Sequence, residues 1–175
     1  WLHVSFIFIV VGYGTKMGLA PMHTWLPDAH SQAPSPISAL LSGALLNCAF
    51  LGIMRMWQIM NAGGHADFAD DILIAFGLFS MFIAAVFLLN QAEYKRMLAY
   101  SGVEHMGIMA LGVGIGGNAI YGALLHAANH SLIKSGLFLV SGNILRYFHS
   151  WQQKQITGAM QIIPASSVLW VAGFL

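Results

Sequence analysis

The chain has 175 residues, of which 58% are hydrophobic and 7% charged, and its formal net charge is +1. An ordinary soluble domain is roughly a quarter charged, so this composition describes a protein dissolved in lipid. With no Lys/Arg cluster to neutralise a row of phosphates, it excludes nucleic acid as a partner. The single cysteine, Cys48, sits in an apolar run with no partner for a disulfide, a metal knuckle or an iron-sulfur cluster. No cofactor or metal is expected here, and any electron chemistry belongs to another chain.

A membrane-spanning helix needs about 20 mostly apolar residues. In chain order the sequence predicts such segments over 1–20, 37–60, 72–89, 97–117 and 119–145, with an incomplete one over 161–175. The first continues through 21–31 as a broken helix or re-entrant turn. Pro21, Pro27, Pro34 and Pro36 forbid one straight helix there, because each lacks an N–H and disturbs the preceding turn. Irregular backbone at membrane depth survives where protein or trapped water satisfies it, so this stretch is expected to border a hydrated cavity. The 72–89 segment has Ser80 as its only polar residue and reads as a lipid-facing wall. Alternate connections place Lys95, Arg96, Arg146 and Lys154 on one side, and Arg55 beside Asp67, Asp70 and Asp71 on the other. The positive-inside rule makes the first side cytoplasmic. The expected fold is an all-α, polytopic transmembrane helix bundle with a broken helix, one transmembrane domain over 1–175. Both ends fall within apolar runs without a signal-peptide pattern, so the piece is expected to be truncated at each end.

The informative residues are charges inside apolar helices. Each costs roughly 2.5 to 3.5 kcal/mol at a helix centre on insertion scales, so each needs a partner, a water pocket or a task. His126, His130 and Lys134 recur every four residues in the fifth segment. They share one helical face with gaps of about 6 Å, and Ser141 joins them. Imidazole accepts and donates protons through its two nitrogens, and a lysine releases a proton near neutrality only where desolvation or a neighbouring cation disfavours its charge. That pattern suits a proton relay better than a snorkelling lysine beside two structural histidines. Glu104, next to His105 and one turn after Tyr100, either stays protonated or pairs with a buried cation, and Lys16 and Lys134 are both candidates. Lys16 lies among Gly12, Gly14 and Gly18 just before the proline-rich break, where freed carbonyls and water can hold a cation; the alternative is snorkelling to the cytoplasmic surface. The ten methionines read as packing against neighbouring helices or lipid. Gly112, Gly114 and Gly117 spell a dinucleotide fingerprint without the strand it needs, and close helix packing is the better account. His126 and His130 lack the glutamate and third ligand of a zinc site.

The words KMGLAPMHTWLPDAHSQAPSPISALLSGALLN, YKRMLAYSGVEHMGIMALGVG and LLHAANHSLIKSGLFLVSGNI, in that order, resemble the antiporter-like subunits shared by respiratory complex I, Mrp cation/proton antiporters and membrane-bound hydrogenases. Within that family the pairing of GALLNC with EHMG is most similar to the F component of hydrogenase-4, the formate hydrogenlyase type. The resemblance implies a fourteen-helix fold of two inverted five-helix repeats, each with a broken helix, of which this chain would be the second repeat and its borders. It implies that Lys16 is the lysine of the broken helix, and that His126, His130 and Lys134 are the relay and lysine of the helix facing it. Pro21 and Asp28 mark the family's broken segment. A further acidic residue on an earlier helix, and a lysine or glutamate on a later one, would lie beyond this chain. Many relatives carry a lysine or histidine in the helix after the break, where this sequence has Ser42 and Asn47. Neither bears a charge, so water held by Asn47, or Glu104 and His105, would substitute there.

The resulting expectation is a proton-translocating subunit of an energy-converting redox complex in a bacterial or archaeal cytoplasmic membrane. Its partners would be other antiporter-like subunits and a peripheral hydrogenase or dehydrogenase arm, and its central line would comprise Glu104, Lys16, His126, His130 and Lys134. The alternatives are a sodium/proton exchanger of the Mrp kind and a scaffold bundle that binds quinone or lipid.

Overall fold

A computed structural model describes residues 1–174. Helix α1 (Leu2–Met17) is followed by a short α2 (Trp25–Gln32). Next comes α3 (Ser35–Ala62), which contains a π-helical stretch at Leu41–Leu45. The remaining helices are α4 (Ala66–Leu88), α5 (Tyr94–Ile115), α6 (Asn118–Phe148), a single turn α7 (Ala159–Ile162) and α8 (Pro164–Ala172). Helices α3, α4 and α5 are each long and apolar enough to cross a membrane. The sixth expected segment, 161–175, divides at Pro164, which takes the first position of α8 because its missing N–H is no loss there; Leu175 lies outside the described residues. Helix α4 starts at Ala66, six residues before its expected beginning, because Asp67, Asp70 and Asp71 sit in its first turns, where acidic groups suit the positive helix end. Asp70 also accepts a hydrogen bond from the Trp57 indole at 2.5 Å.

The first helix ends at Gly18, whose φ of 84° is left-handed and whose N–H returns to the Gly14 and Thr15 carbonyls. The loosened backbone beyond it is satisfied by side chains. Ala20 N–H donates to Ser80 Oγ at 2.9 Å, and the Trp25 indole donates to the Thr15 carbonyl at 2.6 Å. The expected hydrated border is therefore a protein-lined one at these two groups. Ser80 is fully buried, and its own hydroxyl donates to the Phe76 carbonyl. Helix α4 is thus no plain lipid-facing wall: its outer face exposes Leu78, Phe79, Phe82 and Val86, while its inner face braces the break.

Close approach of α4 and α5 fixes the rest of the bundle. A Cβ at Gly77 would lie 2.8 Å from the Gly107 carbonyl and 2.9 Å from the Leu111 amide nitrogen, and one at Gly114 would lie 2.9 Å from the Asp70 carbonyl. Small residues are what allow backbones this near in lipid, where packing replaces hydrophobic drive. Of the fingerprint-like run, Gly114 serves this packing and Gly112 lies close to Ala119 and Ala123 of α6, whereas a Cβ at Gly117 would meet nothing within 4 Å and its φ of 55° marks a turn, not a packing contact. The substitution Gly77→Val should therefore push α4 off α5 and cost about 1–3 kcal/mol. The check is the thermal midpoint of the purified membrane protein in detergent; an unchanged midpoint would contradict this packing.

Candidate functional site

Helices α5 and α6 present ionisable side chains to each other across one cavity. Lys134 is buried, at 3% exposure, and its amine donates to the Ser101 hydroxyl. Ser101 falls one turn before Glu104 and His105 on α5, so all three face α6 together. His105 and His126 share a hydrogen bond of 2.9 Å between Nδ1 of the first and Nε2 of the second, one nitrogen donating and the other accepting according to tautomer. The His105 ring lies 5.4 Å from that of His130, centre to centre. His130 is as buried as Lys134, and among the described residues neither of its ring nitrogens has a hydrogen-bond partner. The cavity, about 480 Å³, is lined by Ser101, Glu104, His105, His126, His130 and Lys134 among others.

The row of histidines is therefore laced across two helices. Along α6 alone, His126 and His130 would be separated by a full turn; His105 inserts from α5 and touches both. Sequence reasoning placed His105 in a supporting role and missed Ser101, although the spacing of Ser101, Glu104 and His105 already puts them on one face. Ser141 is buried on the expected face, but its hydroxyl donates to the Phe138 carbonyl within its own helix, and its carbonyl accepts from the Tyr94 hydroxyl at 3.2 Å. Asp28 lies on the surface in an ion pair with Arg96 at 2.8 Å, which ties α2 to α5. Pro21 lies in the break between α1 and α2.

Lys16 departs from the expected central line. Its side chain is exposed in a groove lined by Tyr13 and by Leu41, Leu45 and Cys48 of α3. Glu104 therefore has Lys134, and not Lys16, across its cavity. Helix α3 carries the Lys16 groove and also packs against α6. There, Asn47 Nδ2 donates to the Ala127 carbonyl at 3.0 Å and to Ser131 Oγ at 2.5 Å, and Ser131 donates to the Gly43 carbonyl at 2.6 Å. Gly43 lies in the π-helical stretch, where a Cβ would collide with the Ser135 hydroxyl. Ser42 is buried in the same stretch. Single π-turns inside α-helices recur at functional sites, and this one lets α3 lie against α6 with a polar seam between them.

The family described as NADH:quinone oxidoreductase/Mrp antiporter, TM, matches residues 2–175. The chain belongs to this antiporter family. Among curated relatives it is similar to a hydrogenase-4 component F homolog of Methylacidiphilum infernorum, at 49% identity over 93% of this chain and 34% of the relative. It is also similar to NAD(P)H-quinone oxidoreductase chain 4 2 of Thermosynechococcus vestitus, at 34% identity over 97% of this chain and 32% of the relative. The chain thus spans about a third of the length of these relatives. Among solved structures, it overlays a chain of the archaeal membrane-bound sulfane sulfur reductase with a TM-score of 0.90 at 24% identity, covering 98% of this chain and 35% of that one. It overlays a chain of the Mrp complex from Dietzia sp. DQ12-45-1b with a TM-score of 0.89 at 21% identity, covering 97% and 32%. The all-α membrane bundle with a broken helix is therefore the family's fold.

The Asn47 clasp lends itself to a direct measurement. Interhelical side-chain bonds in membrane proteins average about 0.6 kcal/mol and reach about 1.7. A double-mutant cycle on Asn47→Ala and Ser131→Ala should give a coupling in that range, read from unfolding in detergent. Strictly additive effects would show that the clasp holds nothing.

Proposed function

We propose that this chain is part of a proton-translocating membrane subunit of an energy-converting redox complex of the hydrogenase or complex I kind, in a bacterial or archaeal cytoplasmic membrane. Other antiporter-like subunits would adjoin it, and a peripheral hydrogenase or dehydrogenase arm would supply redox energy. The observation that carries this reading is the cavity between α5 and α6, where buried Lys134 meets Ser101, Glu104, His105, His126 and His130.

The chemistry follows from the donor set. The lysine holds a proton, and a negative Glu104 in the same cavity favours keeping it there. When positive charge elsewhere draws on Glu104, the attraction weakens and the ammonium is free to yield its proton to the His130 ring. His105 and His126 continue the line, each imidazole taking a proton on one nitrogen and giving one up from the other. Unit charges about 7 Å apart at an effective dielectric of about 20 interact by about 2.4 kcal/mol, and moving one charge against 100 mV requires about 2.3 kcal/mol. One charge rearrangement at this range therefore matches the work of moving one proton. The orphaned nitrogens of His130 support the reading, because a buried polar atom without a partner costs stability unless it serves a purpose or binds water. Lys16, in its separate groove, would take part as a neighbouring charge.

In membrane vesicles containing the whole complex, Lys134→Ala should abolish proton pumping, with assembly and redox turnover retained. Pumping that survives alanine at both Lys134 and Lys16 would rule the reading out. Sodium-dependent proton flux in the absence of redox turnover would instead identify an exchanger.

A further inference from the structure

The lysine and histidine side chains buried outside the cavity just described are His23, His30 and Lys95, and the last two lie close to it. Lys95, by position a flanking charge on the cytoplasmic side, is 1% exposed. Its amine donates to the carbonyl of Ala33, the residue that closes α2, and stands 4.5 Å from the centre of the Trp151 ring. Trp151 belongs to a strap after α6 that is pinned over this end of the bundle: Tyr94 N–H donates to the Trp151 carbonyl at 3.2 Å, and Gln153 N–H donates to the Ala92 carbonyl at 3.0 Å. His30, on α2, is also 1% exposed. Its ring stacks on Phe138 of α6 with centres 4.6 Å apart, one helical turn from Lys134. Neither of its ring nitrogens has a hydrogen-bond partner among the described residues. His30 lies one helical turn before Ala33, which takes the Lys95 amine, and stacks on Phe138, one helical turn after Lys134.

A buried imidazole with neither nitrogen partnered among the described residues, one helical turn from the contacts of two buried amines, is hard to explain as packing. A histidine serving only as an apolar plate against Phe138 would leave two unmet polar atoms, a cost of about 1–3 kcal/mol each that phenylalanine or leucine would avoid. The same two nitrogens suit a group that receives a proton on one side and passes one on from the other. Lys95 sits where such a line would start: next to Arg96, which pairs with Asp28 on the exposed surface of α2 and α5, and under the Trp151 strap.

We propose that Lys95 and His30 form an input branch that delivers protons from the α2–α5 end of the bundle to Lys134, with the Trp151 strap covering its mouth. The branch rests on the proton-translocating reading of Lys134. In each passage an N–H bond of the Lys95 ammonium breaks and, through a bridging water, an N–H bond forms on one His30 nitrogen. The proton on the opposite nitrogen then bonds to a neutral Lys134 amine, so His30 ends neutral in its other tautomer. Lys95, left neutral, reloads from the aqueous side. His30 returns to its first tautomer before the next passage.

Lys95 also has a purely structural task available, because a cation at a helix C-terminus satisfies a freed carbonyl and the negative helix end. Arginine separates the two roles. It keeps the positive charge, the donor and the stacking on Trp151, but it does not release a proton in proteins. In vesicles of the whole complex, Lys95→Arg should leave assembly and redox turnover intact while protons pumped per turnover fall about tenfold or more, as expected for loss of a proton-transfer group. His30→Gln, which keeps a polar side chain that cannot carry a proton, should do the same and serves where the arginine variant does not assemble. Full pumping in either assembled variant, with Lys134→Ala still silent, overturns the branch alone. Pumping that persists in Lys134→Ala overturns the reading beneath it, and the branch with it.

Discussion

A buried amine among apolar helices sets the terms for the rest of this structure. Lys134 has left nearly all of its water behind, and the surroundings return one hydroxyl, from Ser101, and a carboxylate across the cavity. Water solvates an ammonium through three donors; one hydroxyl does not replace that. Whether Lys134 carries its charge is therefore decided by its neighbours to a degree that no exposed lysine would show, since interactions that water would screen persist in a low-dielectric interior. A conformationally loose site would lose this property, because relaxing by an ångström or two would admit water or swing the amine to a partner. The site is accordingly built on helices, which hold geometry better than loops.

That rigidity has a traceable origin. Gly77 and Gly107 bring the α4 and α5 backbones together, which fixes α5 and with it Ser101, Glu104 and His105. The same α4 carries Ser80, which holds the Ala20 amide of the break. Trp25 returns across the break to the Thr15 carbonyl, so α2 is set in place, and α2 carries His30 toward Phe138 and Lys134. The irregular segment that costs most in lipid is thus also the segment whose satisfaction positions a buried histidine.

Much of this was legible in the sequence, and the failures have physical reasons. The spans at α3, α4 and α5, the proline break and the face shared by His126, His130 and Lys134 follow from apolar length, missing N–H groups and the helical period, all local properties. Which residues meet across helices is not local. The interleaving of His105 between His126 and His130, and the choice of Lys134 over Lys16 as the cation across from Glu104, depend on how α5 and α6 are rotated. That rotation is set by glycine contacts with α4. Lys95 was read as a surface charge because lysines beside turns usually are; only the strap holding Trp151 and the end of α2 covers it. Ser80 illustrates the reverse case: a lone hydroxyl on an apolar helix looked incidental until its partner on the break came into view.

The separation of the two lysines decides which charge governs Lys134. Lys16 lies in a groove against α3, Lys134 lines the cavity between α5 and α6, and a helix with its side chains is about 10–12 Å across. Unit charges that far apart at an effective dielectric of about 20 interact by about 1.4–1.7 kcal/mol, less than the roughly 2.3 kcal/mol needed to move a charge against 100 mV. Ser42, Asn47 and Ser131 orient a hydrogen bond or a water but store no charge, so they do not relay the field in steps as a titratable residue would. On the proposed reading, Lys16 by itself does not supply the work of expelling a proton from Lys134. On the same reading Glu104, which lines the cavity of Lys134, is the lever at hand, and Lys16 acts from a separate groove.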